Sequence, residues 1–473
     1  MILSIGWKNV WRNKTRSMVV IVAVMLGIFG GVMASGIMKG WIAQRIHASI
    51  YNEISHVQIH NPEFMLNEDM NLTIENAEQI LNVLDTIPEV VAYSPRVKLF
   101  AMVKSDWSTS GLYVKGVDRD KEIEVSEIYK HLLEGDFLEG KHRIPSIVIG
   151  SDAAKALKLL NYQVTPEKID SLNVEEYPVE IISKLGDIGD KRFRKEKDFR
   201  EALTENLTKH EYKEYGDKLV EYFSFYRLGA KLELTLQDTS GQIINPVFKI
   251  RGIYKTSNTM FDGLTAFVDR QKLNTYTKLG ENDIHEIAII STGNDEGKEL
   301  GITLEEYFAG SSVMGWDKIS PEIAMYTQFT SLMGIIFVGI ILFALAFGII
   351  NTMLMSVLER VKELGMLMAI GMNRKRVFYM IMAESIFLTI TGAIAGMIFS
   401  GIILEITGRT GINFNMYAEG FEALGYSSVV YPTVSWFDYI SIIILVIITG
   451  IISSIWPARK ALKLNPVEAL RTD

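Results

Sequence analysis

Four runs of the chain are almost free of charge, and their lengths decide what it can fold into. Ser17 to Met38 holds 22 uncharged residues, and at about 1.5 Å per residue a helix of that length crosses the roughly 30 Å of hydrocarbon in a bilayer. Tyr326 to Leu358 is uncharged over 33 residues, about 50 Å as one helix, so part of it must project beyond the lipid. Val377 to Leu404 carries the single charge of Glu384, and Tyr439 to Ala458 carries none. The pattern predicts four transmembrane helices, over 17–41, 326–358, 377–404 and 439–458. The first reads as an anchor and not a cleaved signal. Its apolar run is too long for a signal core, and Gly27, Gly31 and Ser35 recur at the four-residue spacing of helix packing.

Lysine and arginine set the expected orientation. Lys8, Arg12, Lys14 and Arg16 precede the first span, and Arg360, Lys362, Arg374, Lys375 and Arg376 separate the second from the third. Arg459, Lys460, Lys463 and Arg471 follow the fourth, whereas 405–438 holds only Arg409. Both termini, 1–16 and 459–473, and the 359–376 segment are therefore expected in the cytoplasm, with 42–325 and 405–438 outside. The 42–325 segment carries 33 basic and 47 acidic residues, −14, within a chain of net charge −8. That balance argues against a nucleic-acid partner held through its phosphates.

Between the first two spans the pattern changes to short alternating segments. His56–His60, Ser94–Val103, Gly111–Val117, Ile147–Gly150, Lys231–Leu236, Val247–Tyr254, Leu264–Val268 and Glu286–Ile290 read as strands, and Thr73–Ile87 and Asp152–Leu160 as helices. The expectation is an α-helical integral membrane protein with a large α+β extracytoplasmic domain at 42–325. Residues 161–227, charge-dense around Lys191 to Arg200 and helical towards Phe223, read as an insertion in it.

No GxxxxGK[ST] loop, HExxH or GxSxG occurs and cysteine is absent, so neither nucleotide hydrolysis nor nucleophilic catalysis is expected of this chain. His56 and His60 share one strand face without a carboxylate at ligand spacing, which suits a surface position and no metal. Glu384, the one ionisable group within an apolar run, suits near-interface solvation, pairing with an arginine of the neighbouring loop, or proton coupling. Gly392 and Gly396 suit close approach of another helix.

Met355 to Gly371 (MSVLERVKELGMLMAIG) turns a membrane helix into a short amphipathic one, with Glu359, Arg360, Lys362 and Glu363 charged and Val361, Leu364, Leu367 and Met368 at helical spacing. A helix lying on the bilayer surface would look the same. Gly6 to Ser17 (GWKNVWRNKTRS) is also basic and amphipathic, with Trp7 and Trp11 one turn apart.

These stretches resemble the permease subunits of MacB-type ABC transporters, a family that includes FtsX and the lipoprotein-releasing LolC and LolE subunits. Met355–Val357 with Glu359, Arg360, Glu363, Gly365 and Gly371 is similar to the family's coupling segment, and Trp456 to Arg471 (WPARKALKLNPVEALR) to its carboxy-terminal signature. Met368 stands where many relatives carry arginine. Ser94–Val103, Gly116–Glu122, Val148–Leu159 and Thr256–Asp269 resemble the lipoprotein-releasing branch, although the hairpin between Leu236 and Val247 is shorter than the chaperone-gripping projection of LolC-like subunits.

The resemblance implies an inner-membrane permease of a bacterium, with the large domain periplasmic. ATP and Mg would be bound by a partner ABC ATPase docking on Glu359, Arg360, Lys362, Glu363, Leu364, Gly365, Leu367 and Gly371. A second permease chain, membrane lipids and a lipoprotein cargo are the other expected partners. Export of a periplasmic peptide, toxin or drug is the alternative, and an FtsX-like scaffold regulating a cell-wall hydrolase a third. Gly27, Gly31 and Ser35 against the second span are the expected lateral gate.

Overall fold

The computed structural model describes residues 7, 10–12, 14–140, 142–172 and 177–462. The carboxy-terminal signature beyond Leu462 and most of Gly6–Asn9 lie outside the described residues. The chain forms two compact units. One comprises the described residues up to Ile46, Glu322–Ala418 and those from Ser427 on; the other comprises His47–Pro321 with Glu419–Tyr426. The 405–438 loop is therefore divided, its middle belonging to the second unit.

The first unit holds helices Lys14–Ala48, Pro321–Glu359, Arg374–Thr410 and Trp436–Leu462, each long and apolar enough to cross a membrane. They extend beyond the apolar runs because the flanking sequence continues the helix where the lipid requirement ends. The first helix passes into a π-helical turn, Ser49–Ile54. A core of Val20, Val24, Ile28, Leu345, Ile349, Val377, Leu388 and Val446 joins the four. The third and fourth spans meet through small and hydroxyl side chains. Ser385 shares a hydrogen bond with Ser454, and Ser400 Oγ lies 2.9 Å from Tyr439 Oη. In lipid such pairs satisfy groups that water cannot reach. The second span turns Phe329, Ile340, Phe343 and Phe347 outward, each more than half exposed, as suits a lipid-facing surface.

The second unit is the α+β domain. Six strands close on themselves: Lys231–Gln237, Val247–Tyr254, Ser146–Gly150, Thr265–Asp269, Thr109–Val117 and Val90–Lys104, the last pairing back to the first with Met102 opposite Thr235. Val97, Leu99, Ala101 and Val103 alternate into the barrel interior while Phe100 and Met102 face out. The 15-residue strand Val90–Lys104 is long enough to serve a second layer too. Its first half pairs with Glu286–Ser291, which is followed by Val57–His60 and Ser312–Gly315. Helices Ala77–Leu84 and Asn294–Tyr307 cover that layer with Ile80, Leu84, Leu300 and Leu304.

Residues from Leu160 to Tyr226 form a separate layer with a three-stranded sheet, Arg192–Phe193, Leu160–Gln163 and Ser224–Tyr226. Helices Val179–Ile188, Glu196–Asn206 and Lys209–Phe223 pack their own core around Tyr162, Phe199, Leu203 and Phe223. Thr208 and Glu211 cap the last of these reciprocally.

Three expectations need correction. The helix over 73–87 begins only at Ala77, because Ile74 N donates to Ile284 O and Asn76 adopts φ +54°. The helix from Asp152 stops at Ala156; Lys158 turns left-handed and Leu160 starts a strand. His56 and His60 are fully buried, not superficial. His60 stacks on Phe64, which stacks on His285; its ring nitrogens meet His285 O and Gln58 Oε1, both at 2.9 Å. No group of three metal-ligating side chains occurs among the described residues.

Candidate functional site

The short helix Val361–Ala369 follows the second span after a break at Arg360, whose φ of −106° and ψ of 17° depart from helical values. Gly371 closes it at φ +99°, a conformation that favours glycine, and Asn373 Oδ1 accepts from Lys375 N to start the third span. Leu364 and Gly365 are buried in the membrane unit, with Leu367 and Met368 half-buried beside them. The apolar face is thus covered by protein and needs no bilayer. Glu359, Lys362, Met366, Ile370 and Gly371 are exposed, so the outward face offers charge beside two large apolar side chains.

Arg360 is the centre of a chain of ion pairs. Its Nη1 donates to Glu384 Oε2 at 3.0 Å and Oε1 at 3.3 Å, its Nε donates to Glu363 Oε2 at 3.1 Å, and Glu363 Oε1 accepts from Arg12. One guanidinium, whose planar fork can serve two carboxylates at once, joins the short helix to the third span, and Glu363 extends the link to Arg12. The Arg360 and Glu384 side chains are 13% and 6% exposed, so loss of either would leave an uncompensated charge out of water. Arg12 above all, opposed by slight burial and aided by Arg360, holds the Glu363 carboxyl below the usual carboxylate range. Arg12 was legible only as one of several basic residues. That it meets Glu363, 351 positions away, has no local signal.

The glycines fall at helix crossings. A Cβ on Gly392 would lie 2.7 Å from Val24 and one on Gly396 3.0 Å from Ile28, so both admit the first span against the third. A Cβ on Gly27 would lie 3.2 Å from Leu345 of the second span. The expected alignment of Gly31 on that same seam is not found: it faces Ile442 of the fourth span at 3.3 Å, and Gly30 faces Ile341 of the second at 3.7 Å. Four residues advance a helix by about 40° more than a full turn, enough to pass from one neighbour to the next. Ser35 is half-buried.

Residues 335–466 match the family described as FtsX-like permease C-terminal. An uncharacterised ABC transporter permease of Methanocaldococcus jannaschii is 37% identical over 129 residues, 27% of this chain and 29% of that protein. The macrolide export ATP-binding/permease protein MacB of Chlorobium luteolum is 35% identical over 130 residues, 26% and 16% respectively. The uncharacterised ABC transporter permease YknZ of Bacillus subtilis is 31% identical over 160 residues, 34% and 36%. The chain thus covers about a third or less of each of these relatives. The extracellular domain of YknZ from Gram-positive bacteria aligns with 55% of this chain and 99% of its own at 13% identity, with a TM-score of 0.28. The periplasmic region of MacB from Actinobacillus actinomycetemcomitans aligns with 57% and 92% at 12% identity and 0.30. The chain contains an FtsX-like permease domain with MacB- and YknZ-type homologues.

Proposed function

We propose that this chain is the permease subunit of a MacB/FtsX-type ABC transporter, in which a separate ATPase docks on residues 359–371 and drives the α+β domain to move cargo outside the membrane. The carrying observation is the Arg12–Glu363–Arg360–Glu384 chain: a force on the short helix is delivered to Arg12, before the first span, and to the third span through charge-assisted bonds. The sequence has no phosphate-binding loop, so ATP and Mg belong to the partner, and a second permease chain completes the transporter. Both termini lie in the cytoplasm and the α+β domain on the far side of the inner membrane. The cargo is a lipoprotein released from that membrane, as the segments similar to LolE-like subunits suggest. Export of a drug or peptide is the second reading, favoured by the macrolide export named for the MacB relative.

Two measurements test this. Tagged protein should co-purify with an ABC ATPase, and Lys362→Glu with Ile370→Asp should abolish that association. Arg360→Ala should keep the association but uncouple hydrolysis from transport; undiminished transport in both variants overturns the docking site. Photo-crosslinkers at Met38 and Tyr326 should capture lipid-modified protein in an ATP-sensitive manner. Capture of unlipidated peptide or drug alone selects the second reading, and no cargo under turnover selects a regulatory scaffold.

A further inference from the structure

The fourth span is exposed at every fourth residue along one row: Trp436, Ile440, Ile444, Ile448, Ile452, Trp456 and Lys460. Its two tryptophans lie 20 residues apart, about 30 Å along a helix, which is the depth of the hydrocarbon layer. Tryptophan favours the edge of that layer, where its apolar ring and its N–H can both be satisfied. The row thus fixes the height of the helix in the membrane. Lys460, one turn past Trp456, lies about 6 Å outside the hydrocarbon, at the depth of lipid phosphates. Its Nζ is held over the Trp456 ring at 5.3 Å.

The third span brings further cations to this level. Ser385 meets Ser454, Ser400 meets Tyr439, and a Cβ on Gly450 would touch Thr389, so the two helices keep one antiparallel register throughout. Continued outward, that register puts Tyr379 at the height of Lys460, with Arg376 about 4–5 Å beyond and Lys375 and Arg374 further still. Arg374, Lys375, Arg376, Arg459 and Lys460 are exposed, and among the described residues none has an ion-pair partner. Neither 371–383 nor 439–462 contains a carboxylate. Of those nearest in sequence, Glu384 and Glu363 are bound by Arg360 and Arg12, and exposed Glu359 is balanced in charge by exposed Lys362. The positive charge at phosphate depth has no protein counter-charge, and an apolar row leads straight into it. A partner protein in the aqueous phase has no use for that row. A lipid fits both parts, with its chains on the isoleucines and its headgroup on the cations.

We infer that this end of the third and fourth spans binds an anionic phospholipid, its acyl chains along Ile448 and Ile452 and its phosphate among Lys460, Arg459 and the cations of 374–376. The site requires only that the helices cross a membrane, so it holds whichever ATPase or cargo the chain serves. The test is native mass spectrometry of the full-length protein in detergent, with added phosphatidylglycerol or phosphatidylcholine of the same acyl chains. Phosphatidylglycerol should be retained at about tenfold lower concentration than phosphatidylcholine. Arg459→Gln with Lys460→Gln should lower its affinity about tenfold, as should the separate triple variant Arg374→Gln, Lys375→Gln and Arg376→Gln, with phosphatidylcholine unaffected in both. Lys460→Arg should keep the preference, and so should Lys209→Gln in the α+β domain. Equal retention of the two lipids, or an undiminished preference in both folded charge-neutral variants, overturns the inference. Release of the lipid by millimolar inorganic phosphate overturns it in favour of a free-phosphate site. Absence of the lipid from chain that co-purifies with an ABC ATPase overturns it by assigning the cations to that protein.

Discussion

Arg96 shows how much of this molecule depends on single buried charges. It lies in the strand read as Ser94–Val103, and nothing in that stretch distinguishes it from a surface arginine. Folding puts it beside Glu122, which accepts from its Nε and Nη2 at 2.9 and 2.8 Å, and Glu286, which accepts from Nη1 at 2.7 Å. All three are buried. Burial alone would raise the Glu286 carboxyl, but Arg96 together with Lys115, His60 and Lys98 outweighs it and holds the group at about 2. A carboxylate with a depressed native pKa adds stability above its unfolded pKa and loses it as pH falls through the native one. The α+β domain should therefore weaken between about pH 4.5 and pH 2. Glu286→Gln should flatten this acid limb and cost about 3 kcal/mol at neutral pH, read by chemical unfolding of the full-length protein in detergent. Glu384 was more legible: the sequence marks it as unusual and offers an arginine of the neighbouring loop as its partner, and the fold selects Arg360 among them.

At the scale of elements the sequence was more readable. The four spans are visible because lipid demands long uninterrupted apolar runs, and the barrel strands because one face of each is buried. What stayed hidden was the use of the longest strand in two layers, since period-two alternation says which face is inside but not which strand lies alongside. The short strands Leu132–Gly135 and Ser312–Gly315 were missed for the same reason: four residues carry too little pattern. Small residues were legible as helix contacts but not by partner, as Gly31 shows. Their structural environments now separate them. A side chain on Gly392 would meet Val24 and the Ile21 carbonyl oxygen, whereas Gly339 of the second span has nothing within 4 Å of its would-be Cβ. Gly392→Leu should cost about 2–3 kcal/mol or prevent assembly. Gly339→Leu should leave thermal stability in detergent unchanged within about 0.5 kcal/mol.

For the whole molecule the decisive measurement is sidedness. The chain has no cysteine, so single cysteines report without background. Replacements at Lys14 and Arg374 should resist a membrane-impermeant thiol reagent in intact spheroplasts, and one at Leu66, 87% exposed in the α+β domain, should react. Asp238 is unsuited as the outside reporter because it is buried under Lys278 and the turn that its carboxylate organises. Labelling at Arg374 but not at Leu66 would reverse the orientation and with it the cytoplasmic ATPase. Leu160 and Tyr226, the first and last residues of the 160–226 layer, are register partners on neighbouring strands, and Arg227 N donates to Leu159 O just beyond them. The polypeptide leaves the barrel and re-enters it at nearly the same point, with a complete core in between. A gene could gain, lose or exchange that whole stretch in one event without rethreading its host, and lineages sharing the same membrane machinery would be free to diversify in what they recognise.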